Sequence, residues 1–134
     1  MNDLATRATP ALLSVLRIMA ALLLMQHGMQ KILGWPANPR PLPDAFTLYW
    51  FAGMLELVGG ALLAIGLFTR PVAFVLAGLM AFAYFMGHAP RGNMFLPVLN
   101  GGNLAILYCF VFLYLSAAGP GPYSVDAARA RARA

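Results

Sequence analysis

Four long apolar stretches dominate the chain, set apart by short segments rich in proline, glycine and charge. A helix needs roughly 17–25 mainly apolar residues to cross the hydrocarbon core of a bilayer. The first stretch predicts a span from about Pro10 to Leu33. A loop is expected from Gly34 to about Thr47, because Pro36, Pro39, Pro41 and Pro43 cannot continue a helix, and Trp35 suits a membrane interface. A second span is expected over about Leu48 to Phe68, ended by a tight turn at Thr69-Arg70-Pro71 with Pro71 at a favoured first helical position. A third runs from there to about Gly87. His88 to Asn100 mixes Pro90, Arg91 and Pro97 with apolar Met94-Phe95-Leu96 and predicts a loop with an interfacial or partly re-entrant piece. Backbone with unmet hydrogen bonds is not tolerated facing lipid. A fourth span is expected over about Gly101 to Ala118, stopped by Gly119-Pro120-Gly121-Pro122. The fold class is therefore an all-α membrane four-helix bundle. One domain covers residues 1–126, and a basic tail over 127–134 alternates Ala and Arg in a pattern that suits a short helix.

Composition agrees. Of 134 residues, 61% are hydrophobic and only 10% are charged, against about 25% charged in ordinary soluble domains. Too little charge is present to cover a water-facing surface. The formal net charge of +5 does not point to nucleic acid, because the basic residues sit in tails and turns, where they set topology and meet anionic lipid. Cys109 is the single cysteine, so neither an internal disulfide nor a CxxC redox pair can form. The first apolar run outlasts a signal-peptide core and lacks a small-residue cleavage site before Gln26-His27, so the first helix is expected to be retained. Arg7, Arg70, Arg129, Arg131 and Arg133 collect on one side, with Arg17 nearest to it. Lys31, Arg40 and Arg91 collect on the other. The richer side is expected to be cytoplasmic, and four spans then place both termini there.

Ionisable residues inside a span are costly and generally face protein or a water-filled cavity. At 100° per residue, Arg17, His27 and Lys31 share one stripe of the first helix with Leu24. The second helix carries one carboxylate, Glu56, on a face with Ala52, Gly53, Gly59 and Gly60. Small residues at that spacing allow close helix approach. Helix two is therefore expected to pack on helix one, with Glu56 facing the Arg17–His27 stripe. Gln30, Lys31, His88, Asn100 and Asn103 lie near the outer helix ends and complete the intramembrane polar cluster. Its excess of basic groups favours an anion or a polarised carbonyl such as a quinone head group. The competing interpretation is structural: an Arg/His/Glu clasp that only fixes packing. Met25 and Met29 flank His27 in a spacing that suits Cu(I), but methionine more often fills irregular cores, and no metal is expected. Phe82, Tyr84, Phe85, Phe95, Tyr108 and Tyr114 read as packing and interface residues. No Ser/His/Asp arrangement, phosphate loop or HExxH motif is present, and no catalytic residue is assigned.

An ordered set of motifs resembles the DoxX family. It comprises Arg17 with His27-Gly28-Met29-Gln30-Lys31, Glu56-Leu57-Val58-Gly59-Gly60, and Gly66-Leu67-Phe68-Thr69-Arg70-Pro71. Ala83-Tyr84-Phe85-Met86-Gly87-His88, Pro97 with Asn100-Gly101-Gly102, and Gly119-Pro120-Gly121-Pro122-Tyr123-Ser124-Val125-Asp126 continue it. The resemblance covers about Leu12 to Asp126. It implies a four-helix protein of the bacterial inner membrane with a loose link to redox chemistry, some members being similar to subunits of thiosulfate:quinone oxidoreductase and others associated with thiol or oxidative-stress enzymes. Relatives commonly carry an acidic residue where this chain has Leu79 and another where it has Asn103, so Glu56 is left as the one acid inside the membrane.

Three functions follow as expectations. The first is a membrane subunit or anchor for a redox enzyme partner, in contact with the lipid bilayer and with a quinone as its implied cofactor. The second is a non-enzymatic scaffold. The third is a small-solute or metal transporter, which four short spans could build only as a homo-oligomer.

Overall fold

The computed structural model describes residues 2–134 and contains helices, turns and loops, with no strand among the described residues. The first helix, α1, spans Asn2–Leu33. At 1.5 Å per residue its 32 residues reach about 48 Å, longer than a bilayer core. It starts well before the expected Pro10, which sits inside it, and the added first turns carry an Asp3–Arg7 ion pair at 2.7 Å. The loop at 34–47 follows as expected. Thr47 accepts from the Trp50 N–H and so caps α2, Leu48–Ile65. Gly66 in the left-handed region ends α2, its N–H reaching the Leu62 and Leu63 carbonyls. Glycine reaches that conformation without steric cost.

The third helix, α3, spans Thr69–Ala83 and runs on through a π-helical turn at Tyr84–His88 and a 3-10 turn at Ala89–Arg91. The segment expected to be a loop is thus largely wound. A single turn, α4, covers Pro97–Asn100, and Phe95, Val98 and Leu99 on this segment are strongly exposed. Then come α5, Asn103–Ala118, and a tail helix, α6, Val125–Ala132, capped by Ser124.

Asp3–Leu33, Leu48–Ile65 and Thr69–Arg91 are each long and apolar enough to cross a membrane, and Asn103–Ala118 is a shorter apolar helix. Burial runs opposite to that of a soluble protein. Leu12, Met19, Phe74, Leu107 and Phe110 are exposed, whereas Ser14, Arg17, Glu56, Thr69 and Asn100 are buried. An apolar exterior, with the few polar side chains turned inward, is what lipid as solvent demands.

The helices pack in two main pairs, α1 on α2 and α3 on α5. Glycines set the first. A Cβ on Gly28 would lie 2.5 Å from the Leu57 nitrogen, and one on Gly60 2.5 Å from the Met25 side chain. Gly53 stands against Lys31 and Ile32 in the same seam. Gly59 departs from the expected face, since it meets Leu76 of α3. Between the pairs, Leu24, Leu63, Leu76, Met80, Phe112 and Leu115 form the apolar core.

Candidate functional site

The α1–α2 register decides which polar groups can meet. Gly28 lies against Gly53 and Leu57, Ala21 and Met25 lie against Gly60, and Arg17 reaches the level of Ala64. Glu56 therefore stands far along α1 from Arg17. Arg17 and Lys31 are 14 residues apart, about 21 Å along a helix. Side chains on a helix lean toward its N-terminus, so the Lys31 ammonium drops to the level of Glu56. It contacts both carboxylate oxygens, at 2.6 and 2.8 Å. The pair is well enclosed, the Lys31 side chain being 16% exposed and that of Glu56 5%. Lys31 also sits 4.8 Å from the centre of the Tyr49 ring, a cation–π contact.

Glu56 thus meets the basic stripe of α1 at Lys31, and its expected pairing with Arg17 is corrected. Arg17 belongs to the opposite end of the bundle, which for brevity is the turn end. There it is fully buried and donates to the Pro120 carbonyl at 2.6 Å, the Tyr123 carbonyl at 2.7 Å and, more weakly, the Ala64 carbonyl at 3.5 Å. Gly66 and Gly121 leave room for this clasp, since a Cβ on Gly66 would strike the guanidinium and one on Gly121 the Ser14 hydroxyl. The same end is closed by reciprocal caps. Asp126 accepts from the Phe68 and Thr69 N–H groups at 3.0 and 2.8 Å, capping α3, and Arg70 donates to the Ser116 and Ala117 carbonyls, capping α5. Burial pushes the Asp126 carboxyl up, but the Thr69 and Phe68 N–H groups and the nearby Arg129 charge outweigh it and hold it below the ordinary carboxylate range.

At the other end the four long helices part around a cavity of ≈ 530 Å³. This lies within the usual size of small-ligand sites, about 300–1,000 Å³. Lys31 and Glu56 line it together with His27, His88, Arg40, Arg91 and Tyr108. Leu79, Met80 and Phe82 give it an apolar wall. His88 comes from the π-helical turn, a feature found often at functional sites, and its Nδ1 lies 3.2 Å from the Asn100 carbonyl. Asn100 stands behind the wall. Its side-chain amide donates to the Tyr84 hydroxyl and the Asn93 carbonyl, and its side-chain Oδ1 accepts from the Gly102 N–H.

A family model, DoxX, matches residues 12–89. The chain belongs to the DoxX family. A similar protein occurs in Haemophilus influenzae, described as an uncharacterized protein. It is 43% identical over 115 residues, which cover 84% of this chain and 85% of the relative. No solved structure matches the chain.

In this DoxX protein the cavity gathers four of the expected polar residues, His27, Lys31, Glu56 and His88, and excludes Arg17. Gln30 and Asn103 do not line it, and Asn100 supports it from behind. Three contributors escaped the sequence reading. Arg40 and Arg91 read only as topology charges on loops, and Tyr108 read as a packing residue; in the structure it lines the cavity and also stacks on Phe112 at 5.4 Å. The one available signal was the α5 spacing, which puts Tyr108 on the same buried face as Ala105, Phe112 and Leu115.

Proposed function

We propose that this DoxX protein is a membrane subunit serving a redox partner in a bacterial inner membrane, both termini cytoplasmic, with an outward-opening site for an oxygen-bearing head group such as that of a quinone. The observation that carries the proposal is the buried Lys31–Glu56 pair at the cavity, with further basic groups around it. Lys31, Arg40 and Arg91 are set against one carboxylate, Glu56, so the field inside favours an anion or a polarised carbonyl. The His27 and His88 imidazoles and the Tyr108 hydroxyl add hydrogen-bonding groups. Leu79, Met80 and Phe82 suit an apolar ring, so the lining fits a quinone head in both chemistry and size.

Lys31 would orient a carbonyl oxygen while Glu56 holds the ammonium in place, and the arginines near the mouth would favour electron-rich ligands. A lipid-soluble electron carrier and the partner enzyme supply the redox chemistry.

A second function, a scaffold held by a structural clasp, is favoured by the completeness of the pair, since both Glu56 oxygens are engaged without any ligand. Purification in mild detergent with mass spectrometry of everything retained separates the two. The proposal expects a quinone in the native protein and its loss, with the fold intact, in Glu56→Gln and Lys31→Met. A partner enzyme retained without any small molecule supports anchoring alone. Quinone retention unchanged in both variants refutes the site, and solute flux in liposomes abolished by Glu56→Gln points to transport by an oligomer instead.

A further inference from the structure

A second depression adjoins the cavity. Leu55, Val58 and Leu62 of α2 and Val72, Val75 and Leu76 of α3 bound a groove of ≈ 240 Å³ with an almost wholly apolar lining. Its upper end comes close to the cavity along both helices. Leu55 is next to Glu56, and Leu76 is one turn from Leu79 and Met80, all three of these neighbours lining the cavity. The groove exists because α2 and α3 are joined by a short turn and approach closely at Gly59, where a Cβ would lie 3.0 Å from Leu76.

The groove faces a different medium from the cavity. At 100° per residue, its α2 positions are rotated by roughly a quarter turn from those that line the cavity. Leu55, Val58 and Val75 are 43%, 49% and 50% exposed, and on an apolar exterior that exposure is to lipid. A polar chamber inside the bundle therefore has an apolar groove next to it along both helices, on the bilayer face. A small ion arriving from water would use the chamber alone. A molecule with a polar head and a hydrocarbon tail would use both.

We propose that the ligand is an amphiphile taken from the bilayer, its oxygen-bearing head at the Lys31–Glu56 pair and its apolar tail in the α2–α3 groove. This rests on the head-group site proposed above and adds the tail, the side of entry and a means of selection. Bulk in the groove obstructs tailed ligands and leaves head-only ligands untouched.

The test uses the full chain in lipid nanodiscs and two benzoquinones with the same substituted head, one without a tail and one with a decyl tail. Val58→Trp and Val75→Trp fill the groove from opposite walls at half-exposed positions. Each variant is expected to weaken the decyl compound at least tenfold relative to native protein, while the tailless compound binds as before. Comparing variant with native for the same probe cancels the partitioning of the tail into lipid. Equal affinities of native and variants for the decyl compound, or equal losses for both compounds, overturn the groove and leave the head-group site standing. A groove that holds only a phospholipid chain, which the decyl compound cannot displace, overturns it as well. Failure of native protein to bind either compound overturns this proposal together with the function beneath it.

Discussion

Replacing Arg17 with methionine tests the account of the turn end most directly. The substitution keeps an unbranched side chain in the buried slot and removes the guanidinium. Two short hydrogen bonds are lost, to the Pro120 and Tyr123 carbonyls. A hydrogen bond to a charged group contributes about 1.5–3 kcal/mol, giving about 3–6 kcal/mol for the pair. Two effects reduce this. Tyr123 is largely exposed, so water can replace the lost donor there, and desolvating the guanidinium carried a cost that the variant no longer bears. A net local destabilisation of about 2–4 kcal/mol remains. At 1.4 kcal/mol per tenfold, that becomes an increase in amide exchange of about 30-fold to 700-fold. Hydrogen–deuterium exchange in mild detergent should show it at residues 120–128, including the Asp126 N–H that now donates to the Gly66 carbonyl at 2.9 Å. Arg17→Lys keeps the charge without the fork that serves two carbonyls at once, and should recover only part of the protection. Faster exchange around Glu56 with residues 120–128 unchanged would refute the assignment of Arg17 to the turn end.

The other predictions concern packing and capping. Gly28→Val should separate α1 from α2 and cost about 1–3 kcal/mol by overpacking, whereas Gly78→Ala, with open space around it, should be neutral or stabilising by about 0.5–1 kcal/mol; denaturation in detergent compares them. Asp126→Asn removes the negative charge at the α3 N-terminus and should weaken that cap by about 0.3–1 kcal/mol at neutral pH, read by the same assay. The native Asp126 carboxyl titrates below its ordinary value, so its stabilisation is fully present above about pH 4 and is lost as pH falls through the lower folded-state value. The difference between native and Asp126→Asn stability should therefore hold from pH 7 to 5 and shrink in stronger acid; a difference that grows on acidification contradicts the cap.

The helices and their order were legible because lipid imposes a strong rule on composition, and proline-rich and glycine-rich breaks mark where the rule lapses. The α1–α2 seam was legible from Gly53 and Gly60, since small residues on one face have few other uses in a membrane. What the wheel could not supply was height. Arg17, His27 and Lys31 share a face, yet only the glycine contacts fix which of them is level with Glu56, and they select Lys31. Position along a helix pair depends on how two surfaces interlock, which neither sequence shows alone. The same limit hid the role of Asp126, the last residue of the expected domain, which caps a helix that begins 57 residues earlier. The π-helical turn at Tyr84–His88 was invisible for a different reason, since Tyr84 and Asn100 hold it through contacts made across the fold.

The two ends of the bundle are built for different work. At the turn end Arg17, Arg70 and Asp126 spend their polar groups on backbone carbonyls and N–H groups that the helix termini would otherwise leave bare. At the cavity end the charged groups are not used in this way. Lys31 and Glu56 engage each other, and Arg40 and Arg91 border a space that they do not fill. A protein that needed only to hold four helices together would gain little from an ion pair beneath a chamber, because a buried pair is weak support for stability compared with apolar packing of the same volume. Its position makes sense if the pair is kept for what it can bind. A latched turn end would then confine movement on ligand entry to the opposite end, around the cavity.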